Sequence, residues 1–143
     1  MSTAREPEDP LTKEIIGKAI SIHRVLGPGL LESVYEFFLA HELTKSGLLV
    51  ERQKPMPVEY GGLRVDLGFK ADLVINCEVI VEIKAVQKFE HIHEAQLLSY
   101  LKLSQIERGL LINFHADPLR NGIRRISLTK KRGVLGVLGA LGG

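Results

Sequence analysis

The spacing of apolar residues predicts two helices at the start of the chain. From residue 10 to residue 26, apolar side chains recur every three or four positions, and the Gly-Pro-Gly at residues 27–29 ends this pattern. Asp9 is expected to cap the first helix, because its carboxylate can accept hydrogen bonds from the free N–H groups of the first turn. The same spacing predicts a second helix over about residues 30–45.

Two neighbouring flanks of the second helix differ in character. We expect Leu31, Val34 and Phe38 to lie on its apolar stripe, which should face the core. Glu32 shares the adjacent flank with Tyr35, Glu36 and Leu39, because residues three and four apart are neighbours on a helix. Glu32 is therefore expected near the helix start and beside the core.

The middle of the chain alternates in the way that strands do. Gly61 and Gly62 separate two strand-like runs and predict a hairpin turn. From residue 65 to residue 73, apolar and polar residues alternate, which is typical of a half-buried strand. A turn at residues 76–77 then leads into the apolar run VIVEIK, residues 79–84.

The remaining pattern completes a single α/β domain. It predicts a helix over about residues 90–103, a buried strand over residues 109–114 and a last strand over residues 123–128. The order of two helices, three or four strands, a helix and two strands indicates one α/β domain over residues 9–129, with a mixed sheet flanked by helices. We expect residues 1–8 to be flexible. We also expect a flexible tail over residues 130–143, which is first basic and then rich in Gly and Leu.

Composition narrows the class of protein. The chain has 143 residues and a net charge of +2, with 25% charged and 45% hydrophobic residues, as in ordinary soluble proteins. A single cysteine, Cys77, excludes an intramolecular disulfide and a cysteine-only zinc site. No apolar stretch reaches the roughly 20 residues of a membrane span, and the N-terminus lacks an apolar signal core. We therefore expect a cytoplasmic protein without a membrane partner.

Charge is unevenly distributed along the chain. From residue 101 onward, eight cationic and two anionic side chains give +6, which leaves −4 for the first hundred residues. A basic C-terminal third could follow a phosphate backbone, although charge alone favours a solvated surface. The apolar tail offers a further alternative, namely packing against a second copy of the chain or a partner protein.

Two charges in the strand VIVEIK need an explanation. Glu82 and Lys84 lie two residues apart and project from one face, whereas Val81 and Ile83 point into the opposite layer. Asp72, near the end of the preceding strand, is expected beside Glu82 if the two strands pair. Adjacent carboxylates repel each other, and a divalent cation such as Mg²⁺ or Mn²⁺ offsets this repulsion. Spacing alone favours the simpler alternative, an exposed Glu-Lys ion pair at a sheet edge.

Three motifs carry a family resemblance. Asp72 followed by Glu82-Ile83-Lys84 resembles the D…(D/E)xK core of the PD-(D/E)XK nuclease superfamily, with Ala71 where the named motif has proline. Residues 96–100, QLLSY, resemble the QxxxY helix motif of nucleases of the bacterial recombination helicase-nuclease type. Residues 29–35, GLLESVY, match the GxxExxY signature of one small branch of the superfamily.

The resemblance extends from about Ile15 to Ile126, and it implies a restriction-endonuclease-like fold and a metal-dependent nuclease. Such an enzyme hydrolyses phosphodiester bonds of DNA, or of RNA, by means of a metal-activated water. The catalytic residues implied are Glu32, Asp72, Glu82, Lys84 and Gln96. The metal ligands implied for Mg²⁺ or Mn²⁺ are Asp72, Glu82, the backbone carbonyl of Ile83, and Glu32. The candidates for substrate contact are Tyr100, His93, which lies one turn before Gln96, and Arg124 on the last predicted strand.

Alternatives remain for several of these residues. Glu32 could be a helix N-terminal carboxylate that is favoured by the macrodipole. Tyr100 could serve in packing or in substrate contact, and we interpret Tyr35 as a core residue that holds Glu32 in place. The chain as a whole could be a nuclease-fold module that binds nucleic acid or a protein without turnover. The presence of the full set of implied catalytic residues favours the enzyme.

Overall fold

A mixed β-sheet with helices on both faces makes up the described part of the chain. The computed structural model describes residues 9–131, 134–137 and 141–142, with side chains as far as residue 128. The segment predicted to be flexible at the N-terminus, residues 1–8, lies outside the described residues. The elements in chain order are α1 (Pro10–Leu26), α2 (Glu32–Lys45), β1 (Val50–Tyr60), β2 (Leu63–Ile75), β3 (Val79–Lys84), α3 (His91–Ser104), β4 (Arg108–Asn113), a 3-10 turn (Leu119–Gly122), β5 (Ile123–Lys131), β6 (Val134–Val137) and β7 (Leu141–Gly142).

The strands follow one another across the sheet in the order β1-β2-β3-β4-β5-β6, and β7 pairs with β5. β3 and β4 run parallel to each other, whereas the other paired strands are antiparallel. A parallel pair needs a long crossover, and α3 supplies it. The predicted α/β fold with a mixed sheet flanked by helices is confirmed.

Each face of the sheet has its own hydrophobic core. α1 and α2 pack on one face, where Val81 and Ile83 of β3 are buried. α3 packs on the other face, where Leu97 and Leu101 cover Ile80 of β3. Side chains in a strand alternate between faces, so Glu82 and Lys84 belong to the α3 side of the sheet. The predicted alternation along β3 is confirmed.

Local signals fix the first helix. The Asp9 side chain accepts hydrogen bonds from the backbone N–H groups of Leu11 and Thr12, each at 3.3 Å. The helix ends at Leu26, with Gly27 at a φ of 70° as its C-cap. Its predicted bounds and its predicted cap are therefore confirmed.

The second helix buries a different face from the one that the sequence predicts. Leu31 and Phe38 are exposed, whereas Tyr35, Leu39 and Leu43 are fully buried. The predicted stripe of Leu31, Val34 and Phe38 therefore does not form the buried face, and only Val34 of these three is half-buried. Tyr35 has an aromatic partner beneath the helix, and this contact turns the flank of Tyr35 and Leu39 toward the core.

β1 and β2 form a hairpin that extends beyond the core. Gly61 and Gly62 make the turn, both with positive φ, as predicted. Residues 63–68 are exposed on both faces of β2, so the half-buried strand predicted from residue 65 begins only at Phe69. Alternation in the sequence indicates which face of the strand a residue occupies. It does not indicate whether another layer covers that face, and near the turn residues 63–68 are uncovered on both faces.

The C-terminal tail adds two short strands. The backbone of Val134–Val137 pairs with the end of β5, and Leu141–Gly142 pairs with its beginning, where the sequence predicts a loose tail. The edge of β5 offers unpaired N–H and C=O groups to these segments. In the part of the chain that the structure describes, none of the helices has the length and apolar character needed to cross a membrane.

Candidate active site

Asp72 and Glu82 lie opposite each other where β2 and β3 stop pairing. The last backbone pair of these strands is Leu73 with Val81. Beyond this pair, the N–H of Asp72 donates to Glu82 Oε2 at 2.7 Å, and the N–H of Ile83 donates to Asp72 Oδ2 at 2.9 Å. Carboxylate oxygens thus take the place of backbone carbonyls in the sheet. Asp72 and Glu82 therefore lie next to each other, as the sequence predicts.

Burial changes the protonation of Glu82. Only 4% of its surface is exposed. Loss of solvation and, second to it, the negative charge of Asp72 raise the pKa of Glu82 from 4.5 to about 8. The hydrogen bond from the N–H of Asp72 and the charge of Lys84 act in the opposite direction. A buried carboxyl with a pKa in this range is typical of functional sites.

Lys84 shares a face with Glu82 and is only half-buried. It forms no ion pair or hydrogen bond through its ammonium group with any other side chain in residues 9–128. The exposed ion pair that spacing alone favours is therefore not formed, although the charge of Lys84 does lower the pKa of Glu82. The ammonium group remains available for an external anion.

Tyr100 of α3 faces the same acidic pair. Its ring stacks on Phe69, with centroids 4.1 Å apart and an angle of 8° between the ring planes. Burial raises the pKa of Tyr100, and the negative charges of Glu82 and Asp72 add to this effect. Tyr100 thus both packs against β2 and lies within electrostatic reach of the two carboxylates, so packing and substrate contact are compatible.

The segment that follows Lys84 is held by two side chains. Glu32, in the first turn of α2, accepts a hydrogen bond from the N–H of Ala85 at 3.0 Å. Asn113, at the end of β4, accepts from the N–H of Val86 at 3.0 Å and donates to its carbonyl at 2.7 Å. Glu32 therefore lies at the end of β3 that carries Lys84, and its contact is with the backbone.

Tyr35 fixes the loop from which α2 begins. Its hydroxyl donates to the carbonyl of Gly27 at 2.6 Å and accepts from the N–H of Leu30 at 3.1 Å. Its ring stacks on Phe114, with centroids 4.4 Å apart. This loop leads directly into Glu32. Tyr35 therefore holds the start of α2 in place from within the core, which agrees with its predicted role. The loop also explains why α2 begins at Glu32, two residues later than predicted.

We expect Tyr35→Phe to lower the free energy of unfolding by about 1–3 kcal/mol, because it leaves two backbone groups without their partner. Urea denaturation followed by circular dichroism measures the change. Tyr60→Phe is the matched control, since Tyr60 is 87% exposed at the hairpin turn. Equal stability of the two variants would contradict the role assigned to the Tyr35 hydroxyl.

An open cavity of about 730 Å³ lies on the α2 side of Asp72. Glu32, Glu36, Asp72, Arg52 and Gln53 line it together with the apolar residues that precede α2. Arg52 pairs with Glu36, so the carboxylates of Glu32 and Asp72 leave the lining negative, which favours a cation over an anion. Asp72 borders both this cavity and Glu82, so it is the central residue of the site.

Sequence reasoning missed three of these residues, namely Glu36, Gln53 and Asn113. A weak signal existed for Glu36, because helical spacing places it on the flank of Glu32. Nothing in the local pattern distinguishes Gln53 or Asn113 from ordinary strand residues, since their partners are distant in sequence.

Three other predicted residues do not contact the acidic pair. Gln96 is exposed on α3. His93 accepts a hydrogen bond from the N–H of Glu90 through Nδ1, as part of the cap of α3. The guanidinium of Arg124 lies 5.3 Å from the ring centroid of Phe89 and 3.8 Å from a carboxylate oxygen of Glu94. The roles of Gln96, His93 and Arg124 toward a substrate remain predictions.

The oxygen donors beside Asp72 suit a hard divalent cation. Two adjacent carboxylates and the carbonyl of Ile83 are ligands of the kind that Mg²⁺ and Mn²⁺ prefer. No hydrogen bond from residues 9–128 reaches Glu82 Oε1, which leaves this oxygen available. Within the described residues, however, no three His, Cys, Asp or Glu side chains converge as a metal-binding group. Asp72, Glu82 and Ile83 thus fit a cation, whereas Glu32 is engaged with Ala85.

One of three comparisons with known proteins assigns the chain to a family. Comparison with curated proteins and comparison with solved structures each gave no match. A family model of the PD-(D/E)XK nuclease superfamily, whose members are generally nucleases, matches residues 9–126. The match runs from the cap of α1 into β5 and includes Asp72, Glu82 and Lys84. With its restriction-endonuclease-like arrangement of sheet and helices, the chain belongs to the PD-(D/E)XK nuclease superfamily.

Proposed function

We propose that this protein is a metal-dependent nuclease of the GxxExxY branch, which hydrolyses phosphodiester bonds of DNA in the cytoplasm. The observation that carries the proposal is the convergence of Asp72 and Glu82 beside Lys84. Burying the carboxylate of Glu82 beside the half-buried Asp72 is costly unless their charges are neutralised. A fold that maintains this arrangement next to an available ammonium group is suited to bind a cation and a phosphate together.

Each residue of this group has a defined task. Asp72, Glu82 and the carbonyl of Ile83 would hold Mg²⁺ or Mn²⁺, and Glu32 would support these ligands from the first turn of α2. When bound, the cation neutralises the phosphate and lowers the pKa of a water molecule. Lys84 orients the attacking water and stabilises the charge that develops on the phosphate oxygens. The hydrogen bonds from the N–H groups of Asp72 and Ile83 hold the two carboxylates beside each other.

The α3 side of the sheet supplies the contacts to substrate. Tyr100 is within reach of the acidic pair, and Gln96 lies one turn before it on the exposed surface of α3. We assign Gln96 to the attacking water or to a phosphate oxygen. We assign His93 and Arg124, which both lie beside Phe89 near the beginning of α3, to contacts with the nucleic acid.

The direct test is a cleavage assay. Purified protein is incubated with linear, supercoiled and single-stranded DNA and with RNA, in the presence of Mg²⁺, Mn²⁺ or EDTA. We expect cleavage that requires the divalent cation, stops in EDTA and leaves 5′-phosphate ends, which end-labelling detects. Asp72→Asn, which keeps the shape of the side chain but removes its charge, is expected to abolish the activity.

The main alternative is a module that keeps the fold and binds nucleic acid or a protein partner without turnover. If no substrate is cut with either cation, or if Asp72→Asn cuts as well as the wild type, the nuclease proposal is wrong. Binding of the same DNA and RNA, measured by fluorescence anisotropy, would then favour the module.

A further inference from the structure

We propose that Gln53 is a positioning residue that fixes the carboxylate of Asp72, and that Glu36 holds Gln53 in place for this task. The catalytic consequence rests on the proposed nuclease function, whereas the contact itself does not. The inference assigns a role to two residues that no sequence motif of the chain includes.

The side-chain amide of Gln53 bridges two carboxylates. Its Nε2 donates to Asp72 Oδ1 at 3.1 Å and to Glu36 Oε1 at 2.6 Å. A primary amide carries two N–H donors on one nitrogen, so it can serve both acceptors at once without adding charge to the site. Gln53 therefore connects α2 to Asp72 through a short hydrogen bond to Glu36 and a longer one to Asp72.

The backbone of Gln53 departs from the strand at this residue. Its φ is 46°, which is uncommon for a residue with a side chain and places the backbone under strain. The pairs on either side, Arg52 with Leu73 and Lys54 with Ala71, are regular, so Gln53 lies directly opposite Asp72 but outside the ladder. The unusual conformation coincides with the side-chain contact to Asp72, as expected where local strain serves a site.

Glu36 is held from two directions. It is 6% exposed on the inner side of α2, one turn after Glu32. Besides Gln53, it accepts from Arg52 Nη2 at 3.2 Å, and the guanidinium of Arg52 lies 5.4 Å from the ring centroid of Phe37. The buried charge of Glu36 thus has a cation and an amide as partners, which makes it a firm anchor for Gln53.

Asp72 is oriented through both of its oxygens. Oδ2 accepts from the N–H of Ile83, and Oδ1 accepts from Gln53. Without Gln53, one of the two contacts is lost and the carboxylate can rotate about its remaining hydrogen bond. Residues that orient metal-binding groups in this way typically change metal affinity by 10- to 100-fold when they are removed.

The test follows the N–H of Ile83 by ¹H–¹⁵N NMR in EDTA, so it requires neither a metal nor activity. We expect Gln53→Leu to move the Ile83 amide resonance and to speed its hydrogen exchange by about tenfold, because its acceptor loses its orientation. Gln105→Leu is the matched control, since Gln105 also has a positive φ, 61°, at the exposed C-cap of α3. This control should leave Ile83 unchanged.

Variants of Glu36 separate positioning from general packing. Glu36→Leu is expected to reproduce the change at Ile83, whereas Glu36→Gln should keep it near wild type, because its amide oxygen still accepts from Gln53. Should Gln53→Leu unfold, Gln53→Asn tests the same contact, since asparagine tolerates positive φ and is one methylene too short. Calorimetry with Mn²⁺ should show affinity about tenfold lower for Gln53→Leu than for Gln105→Leu.

An unchanged Ile83 amide in a folded Gln53 variant would overturn the inference, even if the wild type cleaves DNA. An altered Ile83 amide in a protein that cuts nothing would leave the positioning role intact and remove the nuclease function. The same amide change in Glu36→Gln as in Glu36→Leu would show that Glu36 acts through its charge alone, which contradicts its role as the acceptor that holds Gln53.

Discussion

Lys84→Ala is expected to slow cation-dependent cleavage by about 10²- to 10³-fold and to leave the fold intact. The magnitude is that of removing one preorganised charge from a transition state. The ammonium group has no ion pair among the described residues, so its loss breaks no ion pair of this part of the folded chain. We expect a change in unfolding free energy within about 0.5 kcal/mol.

Single-turnover cleavage with saturating Mn²⁺ measures this effect, because it isolates the chemical step from product release. Lys45→Ala is the matched control: Lys45 is an exposed lysine in the last turn of α2. If Lys84→Ala and Lys45→Ala cleave at the same rate, the role of Lys84 at the phosphate is wrong. Thermal denaturation of both variants excludes unfolding as the cause of any loss.

Glu82→Gln is expected to remove a large pH dependence of stability. The pKa of Glu82 is about 8 in the folded chain, mainly through burial and secondly through the charge of Asp72. Between pH 4.5 and pH 8, the unfolded chain releases a proton that the folded chain keeps. The wild type therefore loses stability as the pH rises through this window, and Glu82 contributes no further loss above it.

The gap between 4.5 and about 8 corresponds to on the order of 5 kcal/mol. Glutamine is neutral at every pH and can still accept the hydrogen bond from the N–H of Asp72. Glu82→Gln should therefore match the wild type near pH 4.5 and exceed its stability near pH 8. Urea denaturation across this range in EDTA measures the difference, with the exposed Glu14→Gln as the control. Parallel pH profiles of Glu82→Gln and the wild type would contradict the raised pKa.

Those parts of the fold that depend on neighbouring residues in sequence were predictable. α1 has its cap, its spacing and its terminating glycine within one short segment, and its bounds follow from these alone. The exposed end of the β1-β2 hairpin was not predictable, because alternation is the same whether or not a second layer covers the strand. The inward face of α2 likewise depends on Phe114, which lies almost 80 residues further along the chain.

The candidate site divides in the same way. The pairing of Asp72 with Glu82 follows from strand parity and a short connecting turn, so the sequence predicts it. Gln53 escapes prediction because its contact depends on a local backbone conformation that the residue type does not favour. Glutamate is rarely buried, so its residue type does not predict a core position for Glu36. Its burial is explained by its two hydrogen-bond donors, Arg52 and Gln53.

The replacement of backbone carbonyls by carboxylates between β2 and β3 has an evolutionary consequence. A descendant without the proposed nuclease chemistry cannot discard Asp72 or Glu82 freely, since each side chain also accepts a backbone N–H that would otherwise lack its partner. Neutral isosteres such as Asn and Gln keep those acceptors, whereas aliphatic residues do not. Descendants that lose activity are therefore expected to retain amides at these two positions, and so to preserve the outline of the site after its chemistry is lost.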